Sequence, residues 1–236
     1  MDAEHLRYIL VHSSTAKFGL LQTSPKRLSS PLVRYFITDS LFLGMDELFP
    51  VKILLLGDAH VGKSTFLARM SKGAGALEGN LDIELLRDMD QPFIFEARNK
   101  KGGYRLEFYD TSSPENWRLL EPDMVIICYD ISQRLSLINM QRVWIKEVRT
   151  TFQSESQLPL LVLGLKRDLR SEQDPNGIIY PQEAYRVAQE MRADKYAECS
   201  ATTGELFKLA FEEIFSTAMK TKTAAGGQSE GGCVVI

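Results

Sequence analysis

The clearest chemical signal in this sequence is a loop that matches the phosphate-binding pattern G-x-x-x-x-G-K-[ST] in full. It consists of Gly57, Asp58, Ala59, His60, Val61, Gly62, Lys63, Ser64 and Thr65. Its two glycines let the backbone turn without a Cβ penalty, so successive N–H groups point inward and form a nest for an anion. Lys63 is expected to reach the terminal phosphates of a nucleoside triphosphate, and Ser64 to offer its hydroxyl to Mg²⁺.

Three weaker signals follow in chain order, each at the carboxyl end of a predicted strand. Asp110 supplies a carboxylate that is expected to hold Mg²⁺ through water. The stem of Lys166 is suited to lie over a purine ring, and Asp168 to accept hydrogen bonds from N1 and the exocyclic amine of guanine. Adenine has no matching pair of donors, so Asp168 predicts selection of guanine. The small residues Ser200 and Ala201 allow backbone N–H groups to approach the oxygen of the base.

Alternating strand and helix patterns from Phe49 onward place these residues at the ends of buried strands. Strands are predicted from apolar runs bounded by turn residues, at Val51–Leu56, Phe93–Ala97, Tyr104–Asp110, Asp123–Asp130, Leu160–Leu165 and Lys195–Cys199. Helices are predicted at Gly62–Ser71, around Ile138–Phe152, from Pro181 to Met191 and around Phe207–Phe215. The pattern predicts an α/β fold, with a six-stranded, mostly parallel sheet and helices on both faces. A hairpin at Asn99–Gly103 makes one edge strand antiparallel.

The composition limits the class of protein. The chain has 236 residues, of which 44% are hydrophobic, so it suits one ordinary domain with extra segments. Its net charge of −3 does not indicate a nucleic-acid partner. The 3 cysteines are too sparse for a disulfide framework, which favours a reducing compartment. No apolar run reaches the roughly 18 residues that a membrane span requires.

The sequence divides into an extension at 1–48, a main domain at 49–220 and a small polar tail at 221–236. The extension contains basic residues but no acid from His5 to Thr38, and its apolar residues lack a clear period. We interpret the extension as flexible or loosely docked, and the tail as flexible. Two alternatives for the extension stay open. One is a targeting segment, against which Asp2 and Glu4 argue; the other is a start at Met45, which leads directly into the first strand.

Taken together, the motifs GDAHVGKS, DTSSPE, GLKRDLR and ECSAT resemble those of the small GTPases of the Ras superfamily, and of its Rho family in particular. The stretch SLINMQRVWIKEVR at Ser136–Arg149 is also similar to the Rho family. The resemblance covers residues 49–236. It implies a G domain with the P-loop NTPase fold, which binds GTP or GDP with Mg²⁺. Such a domain hydrolyses GTP slowly and changes its contacts with effector and regulatory proteins as it does so.

Several positions depart from the family pattern. Pro114 stands where the family has the glutamine that orients the attacking water, and proline has no side-chain donor or acceptor. No catalytic residue is therefore intact. Ser113 replaces a glycine that senses the γ-phosphate, and Ala59 adds a methyl group where the family has a glycine that faces this glutamine. Leu165 replaces a polar residue that bonds back to the phosphate loop, which costs about 1 kcal/mol of loop order.

The segment that corresponds to switch I departs most from the family. No threonine lies between Thr65 and Thr111 to reach Mg²⁺ and the γ-phosphate, and Gly73–Asp90 has no aromatic residue to cover the base. These changes predict a protein that binds guanine nucleotide but hydrolyses GTP slowly or poorly. The alternative is that a neighbour such as His60 or Glu115 takes over and hydrolysis survives.

The last residues, Cys233-Val234-Val235-Ile236, have the form of a prenylation motif with Cys233 as the lipidated residue. One prenyl chain anchors a protein only marginally. The nearby basic residues Lys220 and Lys222 are opposed by Glu230, so a strong second signal is missing. We therefore expect weak, reversible attachment to the cytoplasmic face of the plasma membrane or an endomembrane, with a cytosolic pool.

Three functions remain open from the sequence. The leading hypothesis is a Rho-like switch that binds guanine nucleotide. The second is a non-catalytic interaction module with a GTPase fold, which the missing switch I threonine favours. The third is a P-loop kinase or ATPase, against which Lys166–Asp168 and Glu198–Ala201 argue.

Overall fold

The computed structural model describes residues 7–10, 48–73, 79–86, 91–99, 102–110, 114–152, 158–173 and 177–221. A seven-stranded sheet forms the centre of this part of the chain. Its strands are β1 Arg7–Leu10, β2 Phe49–Leu56, β3 Phe93–Asn99, β4 Gly102–Tyr109, β5 Met124–Asp130, β6 Leu160–Leu165 and β7 Lys195–Glu198. They lie in the order β1-β3-β4-β2-β5-β6-β7.

Strand β2 lies inside the parallel part of the sheet and leads into the phosphate loop. It pairs in parallel with β4 on one side and with β5 on the other, and β6 and β7 continue the parallel arrangement. Strand β3 pairs with β4 in the antiparallel direction. Residues Ile53–Leu56 and all of β5 and β6 are buried, as expected for strands that are covered on both faces. The carboxyl ends of the parallel strands therefore meet at one edge.

Strand β1 extends the sheet beyond the six strands that the sequence predicts, all of which are present. It pairs antiparallel with β3, with Arg7 opposite Arg98 and Leu10 opposite Phe95. Strand β3, which the hairpin pattern places at the edge, is therefore covered, because a short piece of the N-terminal extension bonds to its free side. The rest of that extension up to Glu47, and the hairpin residues Lys100 and Lys101, lie outside the described residues.

Helices pack on both faces of the sheet, as predicted. They are α1 Lys63–Met70, α2 Pro114–Trp117, α3 Arg134–Asn139, α4 Ile145–Thr151, α5 Pro181–Glu190 and α6 Phe207–Thr221. Helices α1 and α6 share one hydrophobic cluster, in which the rings of Phe66 and Phe207 lie 5.0 Å apart. Helices α3, α4 and α5 pack into a second cluster on the other face. Within the described ranges, no helix has the length and apolar character needed to cross a membrane.

A π-helical turn at Met140–Trp144 joins α3 to α4. The spacing of Ile138, Ile145 and Val148 predicts a single helix that buries them all on one face. Ile145 and Val148 are buried, but Ile138 is 38% exposed. The π turn explains the difference, because its wider winding rotates α3 relative to α4.

Candidate functional site

The predicted phosphate loop lies between the end of β2 and the start of α1. Gly57 has a φ of 140°, and a Cβ at this position would overlap the carbonyl oxygen of Cys128 on β5, so only glycine fits. The ammonium of Lys63 donates hydrogen bonds to the carbonyl oxygens of Gly57, at 3.1 Å, and of Asp58, at 3.0 Å. Lys63 therefore lies folded across the loop, with its charge held over the turn.

The other loop residues take up different positions around this turn. Ala59 and His60 are exposed at its tip, whereas Val61 is buried beneath it and Thr65 is half-buried in α1. His60 has a φ of 63° and Gly62 a φ of 111°. Left-handed residues at these two places give the loop the sharp turns on which a backbone anion nest depends.

The side chain of Asp58 bonds to the helices on the neighbouring face. Its Oδ1 accepts a 2.7 Å hydrogen bond from Trp144 Nε1, and its Oδ2 accepts a 2.8 Å hydrogen bond from Asn139 Nδ2. Residues five positions apart lie about 140° apart around an α-helix. A π turn, whose hydrogen bonds join residue i to i+5, brings them to the same side. The π turn thus lets both donors reach one carboxylate, and Asp58 contributes its backbone to the phosphate loop.

The two predicted metal ligands come together from different elements. Ser64 Oγ, in the first turn of α1, donates a 2.7 Å hydrogen bond to Asp110 Oδ2, which follows β4. Gln91 fixes the backbone of Asp110, because its Oε1 accepts from Asp110 N at 3.1 Å and its Nε2 donates to Asp110 O at 2.8 Å. Gln91 lies outside every motif, so the sequence did not indicate it.

This pair of oxygens fits Mg²⁺ bound together with a nucleotide. No group of three or more acidic, histidine or cysteine side chains that could hold a metal ion occurs in the described ranges. Mg²⁺ needs oxygen ligands in near-octahedral geometry and commonly takes one or two from protein, with the rest from phosphate and water. A dedicated all-protein metal cage is therefore not the chemistry that these residues offer.

The two predicted base-recognition loops also meet. Ser200 Oγ, just after β7, donates a 2.5 Å hydrogen bond to Asp168 Oδ1, just after β6. Ser200 Oγ in turn accepts a 3.0 Å hydrogen bond from the backbone of Thr203. The serine therefore orients the carboxylate that is expected to recognise guanine. Ala201, next in the chain, is buried.

Lys166 lies between the base-recognition residues and the phosphate loop. Its backbone is left-handed, with a φ of 59°, and its Cε lies 3.7 Å from the place that a Cβ on Gly62 would take. Its ammonium donates a 2.7 Å hydrogen bond to Asp130 Oδ2, while Asp130 Oδ1 accepts from Ser132. Asp130 was not predicted from the sequence, although it is an acidic residue at the carboxyl end of β5, beside the strand that precedes Lys166.

Leu165 contacts the phosphate loop through apolar atoms. It is buried, and its Cβ and Cδ1 lie 3.7 Å from the place that a Cβ on Gly62 would take. Val61 belongs to the same hydrophobic cluster. The hydrogen bond that the family pattern would supply here is replaced by packing between a strand end and the loop.

A buried polar network supports the ends of β6 and β7. Glu198 Oε1 accepts hydrogen bonds from Tyr196 and, at 2.5 Å, from Arg170, and the hydroxyls of Tyr196 and Tyr129 lie 3.0 Å apart. Burial raises the pKa of both tyrosine hydroxyls. Burial acts to lower the pKa of Arg170, but the hydrogen bond to Glu198 and the charges of Glu198 and the two tyrosines together outweigh it and raise that pKa. A Cβ on Gly164 would lie 2.9 Å from the Tyr129 hydroxyl, so the network also depends on that glycine.

Helix α2 is held to the core through its last residue. Pro114 is the first residue of α2. This position suits proline, because an N–H group at the first helical position has no acceptor within the helix and its absence therefore costs nothing. Trp117, at the end of α2, is buried, with its ring 6.2 Å from that of Phe152. Arg118 then bonds to Glu147 at 2.7 Å.

Some predicted site residues fall outside the described part. They are Thr111, Ser112 and Ser113, the side chains of Pro114 and Glu115, and the lipidation residue Cys233.

Comparison with known proteins agrees with this arrangement of loops. A sequence model of the Ras family matches residues 52–220. GTP-binding protein rho5 of Schizosaccharomyces pombe is 32% identical over 190 residues, which is 72% of this chain and 85% of that protein. GTP-binding protein rho1 of the same yeast is 29% identical, over 78% of this chain and 96% of that protein. GTP-binding protein RHO4 of Eremothecium gossypii is 27% identical, and the match spans 64% of its length. The chain belongs to the Ras family and is a divergent Rho-type small GTPase.

Proposed function

We propose that this chain binds guanine nucleotide with Mg²⁺ and acts as a Rho-like switch that hydrolyses GTP slowly. The observation that carries the proposal is that the predicted site residues pair at one edge of the sheet. Ser64 bonds to Asp110 at 2.7 Å and Ser200 bonds to Asp168 at 2.5 Å. Lys63 would bind the terminal phosphates, and Ser64 and Asp110 would hold Mg²⁺, whose charge would neutralise that of the phosphates.

The base preference offers a sharp test. In Asp168→Asn the carboxamide gains an N–H donor while it keeps one acceptor oxygen. Xanthine has a carbonyl oxygen where guanine has its exocyclic amine. We therefore expect the variant to lose affinity for guanosine diphosphate and to gain affinity for xanthosine diphosphate, measured by titration with fluorescent nucleotides. Glu205→Gln is the matched control, because Glu205 pairs with Arg167 in the same region.

The same titration separates the competing functions. If the wild type bound ADP more tightly than GDP, the result would favour the hypothesis that the protein is a P-loop kinase or ATPase. Absence of binding to any nucleotide, with and without Mg²⁺, would indicate a non-catalytic interaction module. The observation that favours the interaction module is that the sequence has no threonine between Thr65 and Thr111 to serve as the switch I ligand.

Slow hydrolysis is proposed from three features around the expected position of the γ-phosphate. Proline at position 114 offers no group to orient water. The Ala59 methyl group is exposed at the tip of the phosphate loop. Trp117, the buried last residue of α2, anchors the helix that begins at Pro114. In a single-turnover assay beside rho1 of Schizosaccharomyces pombe, we expect this chain to hydrolyse GTP on the order of 10²-fold more slowly, the penalty for a poorly placed nucleophile. Equal rates would show that another residue has taken over.

We further propose that Cys233 is prenylated and gives weak, reversible attachment to the cytoplasmic face of a membrane. The support is the chain-terminal sequence Cys233-Val234-Val235-Ile236. In cells, Cys233→Ser is expected to move the protein from the membrane fraction to the soluble fraction. Cys199→Ser is the control, because Cys199 is buried. Unchanged fractionation of Cys233→Ser would contradict this part of the proposal.

A further inference from the structure

Arg69 on α1 is a fully buried cation that bonds to backbone carbonyls. Its Nη1 donates to the carbonyl oxygens of Ala201, at 2.7 Å, and Thr202, at 3.1 Å, and its Nη2 donates to the carbonyl oxygen of Gly79, at 2.7 Å. The guanidinium also lies over the ring of Phe207, 5.2 Å from its centroid. Burial lowers the pKa of Arg69, and its Nε has no hydrogen-bond partner in the described part of the chain. Burying a charged guanidinium costs free energy, so the hydrogen bonds to these three carbonyl oxygens are needed to offset that cost.

These carbonyls belong to two separate segments. Ala201 and Thr202 directly follow Ser200, which orients Asp168. Gly79 belongs to the segment 79–86 between α1 and β3, in the region that corresponds to switch I. A second contact joins the same two segments, because Leu81 N donates a 3.3 Å hydrogen bond to the carbonyl oxygen of Thr202. The carbonyl oxygen of Thr202 thus accepts hydrogen bonds from both Arg69 and Leu81.

The close approach of the segments depends on a missing side chain. A Cβ on Gly204 would overlap Arg69 Nη2 and would lie 2.9 Å from Gly79 N. Gly204 has a φ of 81°, and its N–H bonds to the carbonyl oxygen of Ser200 at 3.0 Å. The base-recognition loop is therefore folded so that the guanidinium and the 79–86 segment both fit against it.

We propose that Arg69 is a positioning residue that couples the base-recognition loop to the 79–86 segment, so that release of guanine nucleotide requires both to loosen together. This inference rests on the proposed function. The planar guanidinium can bridge carbonyls from two directions at once, which the ammonium of a lysine cannot do with the same fixed geometry. A partner that displaced Gly79 would remove one acceptor from the buried cation and thereby weaken its hold on Ala201 and Thr202.

The coupling can be tested through nucleotide release. We expect Arg69→Met to release fluorescent GDP at least about tenfold faster than wild type, consistent with the loss of charge-assisted hydrogen bonds. Arg69→Lys, which keeps the charge and the stem, is expected to fall between the two and serves if Arg69→Met does not fold. Arg149→Met is the control, because Arg149 also donates to a backbone carbonyl, that of Met191, on the other face of the sheet. Release rates for Arg69→Met and Arg69→Lys equal to that of Arg149→Met would overturn the inference.

Amide hydrogen exchange supplies a readout that needs no nucleotide. In the Arg69 variants we expect faster exchange at Leu81 and Gly204, whose N–H groups bond within this junction, with no change at Leu161 and Leu163 in the centre of β6. If the wild-type protein did not bind GDP, only the proposed function would be contradicted. The exchange pattern would still test the coupling between the two segments. Exchange at Leu81 and Gly204 that matches wild type would overturn it.

Discussion

The indole nitrogen of Trp144 donates a 2.7 Å hydrogen bond to the carboxylate of Asp58, and so ties the phosphate loop to the π turn between α3 and α4. Asn139 occupies the other oxygen of the same carboxylate. A substitution that moves Asn139 or Trp144 is therefore expected to shift Asp58, the second residue of the phosphate loop. The irregular turn is what brings both donors within reach of this carboxylate.

Trp144→Phe tests this connection. Phenylalanine keeps the aromatic packing but removes the N–H donor, so Asp58 loses one of two hydrogen bonds to a charged acceptor. We expect the free energy of unfolding to fall by about 1.5–3 kcal/mol, measured by urea denaturation. Arg142→Ala, on the exposed side of the same turn, is expected to stay within about 0.5 kcal/mol of wild type. Equal stability of the two variants would mean that the hydrogen bond contributes nothing.

The buried pair of Arg170 and Glu198 predicts non-additive effects. Arg170→Met leaves the Glu198 carboxylate, which is 3% exposed, with the more distant Arg167 Nε, at 3.5 Å, in place of its 2.5 Å partner, and we expect a loss of about 3 kcal/mol. Adding Glu198→Gln removes a buried charge that Arg167 alone compensates poorly at 3.5 Å, so the double variant is expected to be more stable than Arg170→Met alone. Thermal and urea denaturation of both variants would check the order, and a double variant that is the less stable of the two would contradict it.

Burial of a thiol and two phenols predicts a loss of stability in alkali. Burial raises the pKa of Cys128 from its ordinary 9.0 to about 12 and also raises the pKa values of Tyr129 and Tyr196. The unfolded chain therefore loses these protons at lower pH than the folded chain. Below about pH 9 the contribution is fully present, and it is lost as the pH rises towards 12. Urea denaturation between pH 8 and pH 11 should show this fall, with a shallower slope in Cys128→Ala. A stability that stays constant over this range would contradict the assignment.

Gly204→Ala probes the junction at Arg69 from the opposite side. Its Cβ would meet Arg69 and the backbone of Gly79, in addition to the strain of a φ of 81°. Gly73→Ala carries nearly the same strain, with a φ of 79°, but its Cβ would have nothing within 4 Å. We expect Gly204→Ala to be less stable than Gly73→Ala by about 1–3 kcal/mol in urea denaturation, the usual effect of overpacking. Indistinguishable stabilities would show that the junction can relax around a methyl group.

Much of the site could be predicted because its residues follow strands. The spacing from Gly57 to Ser64 is a local property of the sequence, and the carboxyl ends of parallel strands meet at one edge of a sheet. This is why the pairing of Ser64 with Asp110, and of Asp168 with Ser200, agrees with the order of the motifs.

The residues that were missed are defined by partners far away in the chain. Arg69 lies on a helix whose pattern gives no reason to expect a buried charge, since charged side chains are almost never fully buried unless they are paired. Its acceptors, Ala201 and Thr202, are backbone groups without a sequence signature. Gln91 and Asn139 likewise act through side-chain geometry that only the assembled fold defines. The π turn was missed because the helical period continues on both sides of it.

Strand β1 bears on how the protein behaves at high concentration. A free edge strand presents unpaired backbone groups to which another chain can add. β1 covers this row on β3 from Phe95 to Arg98. A polypeptide translated from Met45 would lack β1 and leave the row open. Such a shortened chain would present the edge of β3 as a template to which a second chain could add, independently of its nucleotide chemistry.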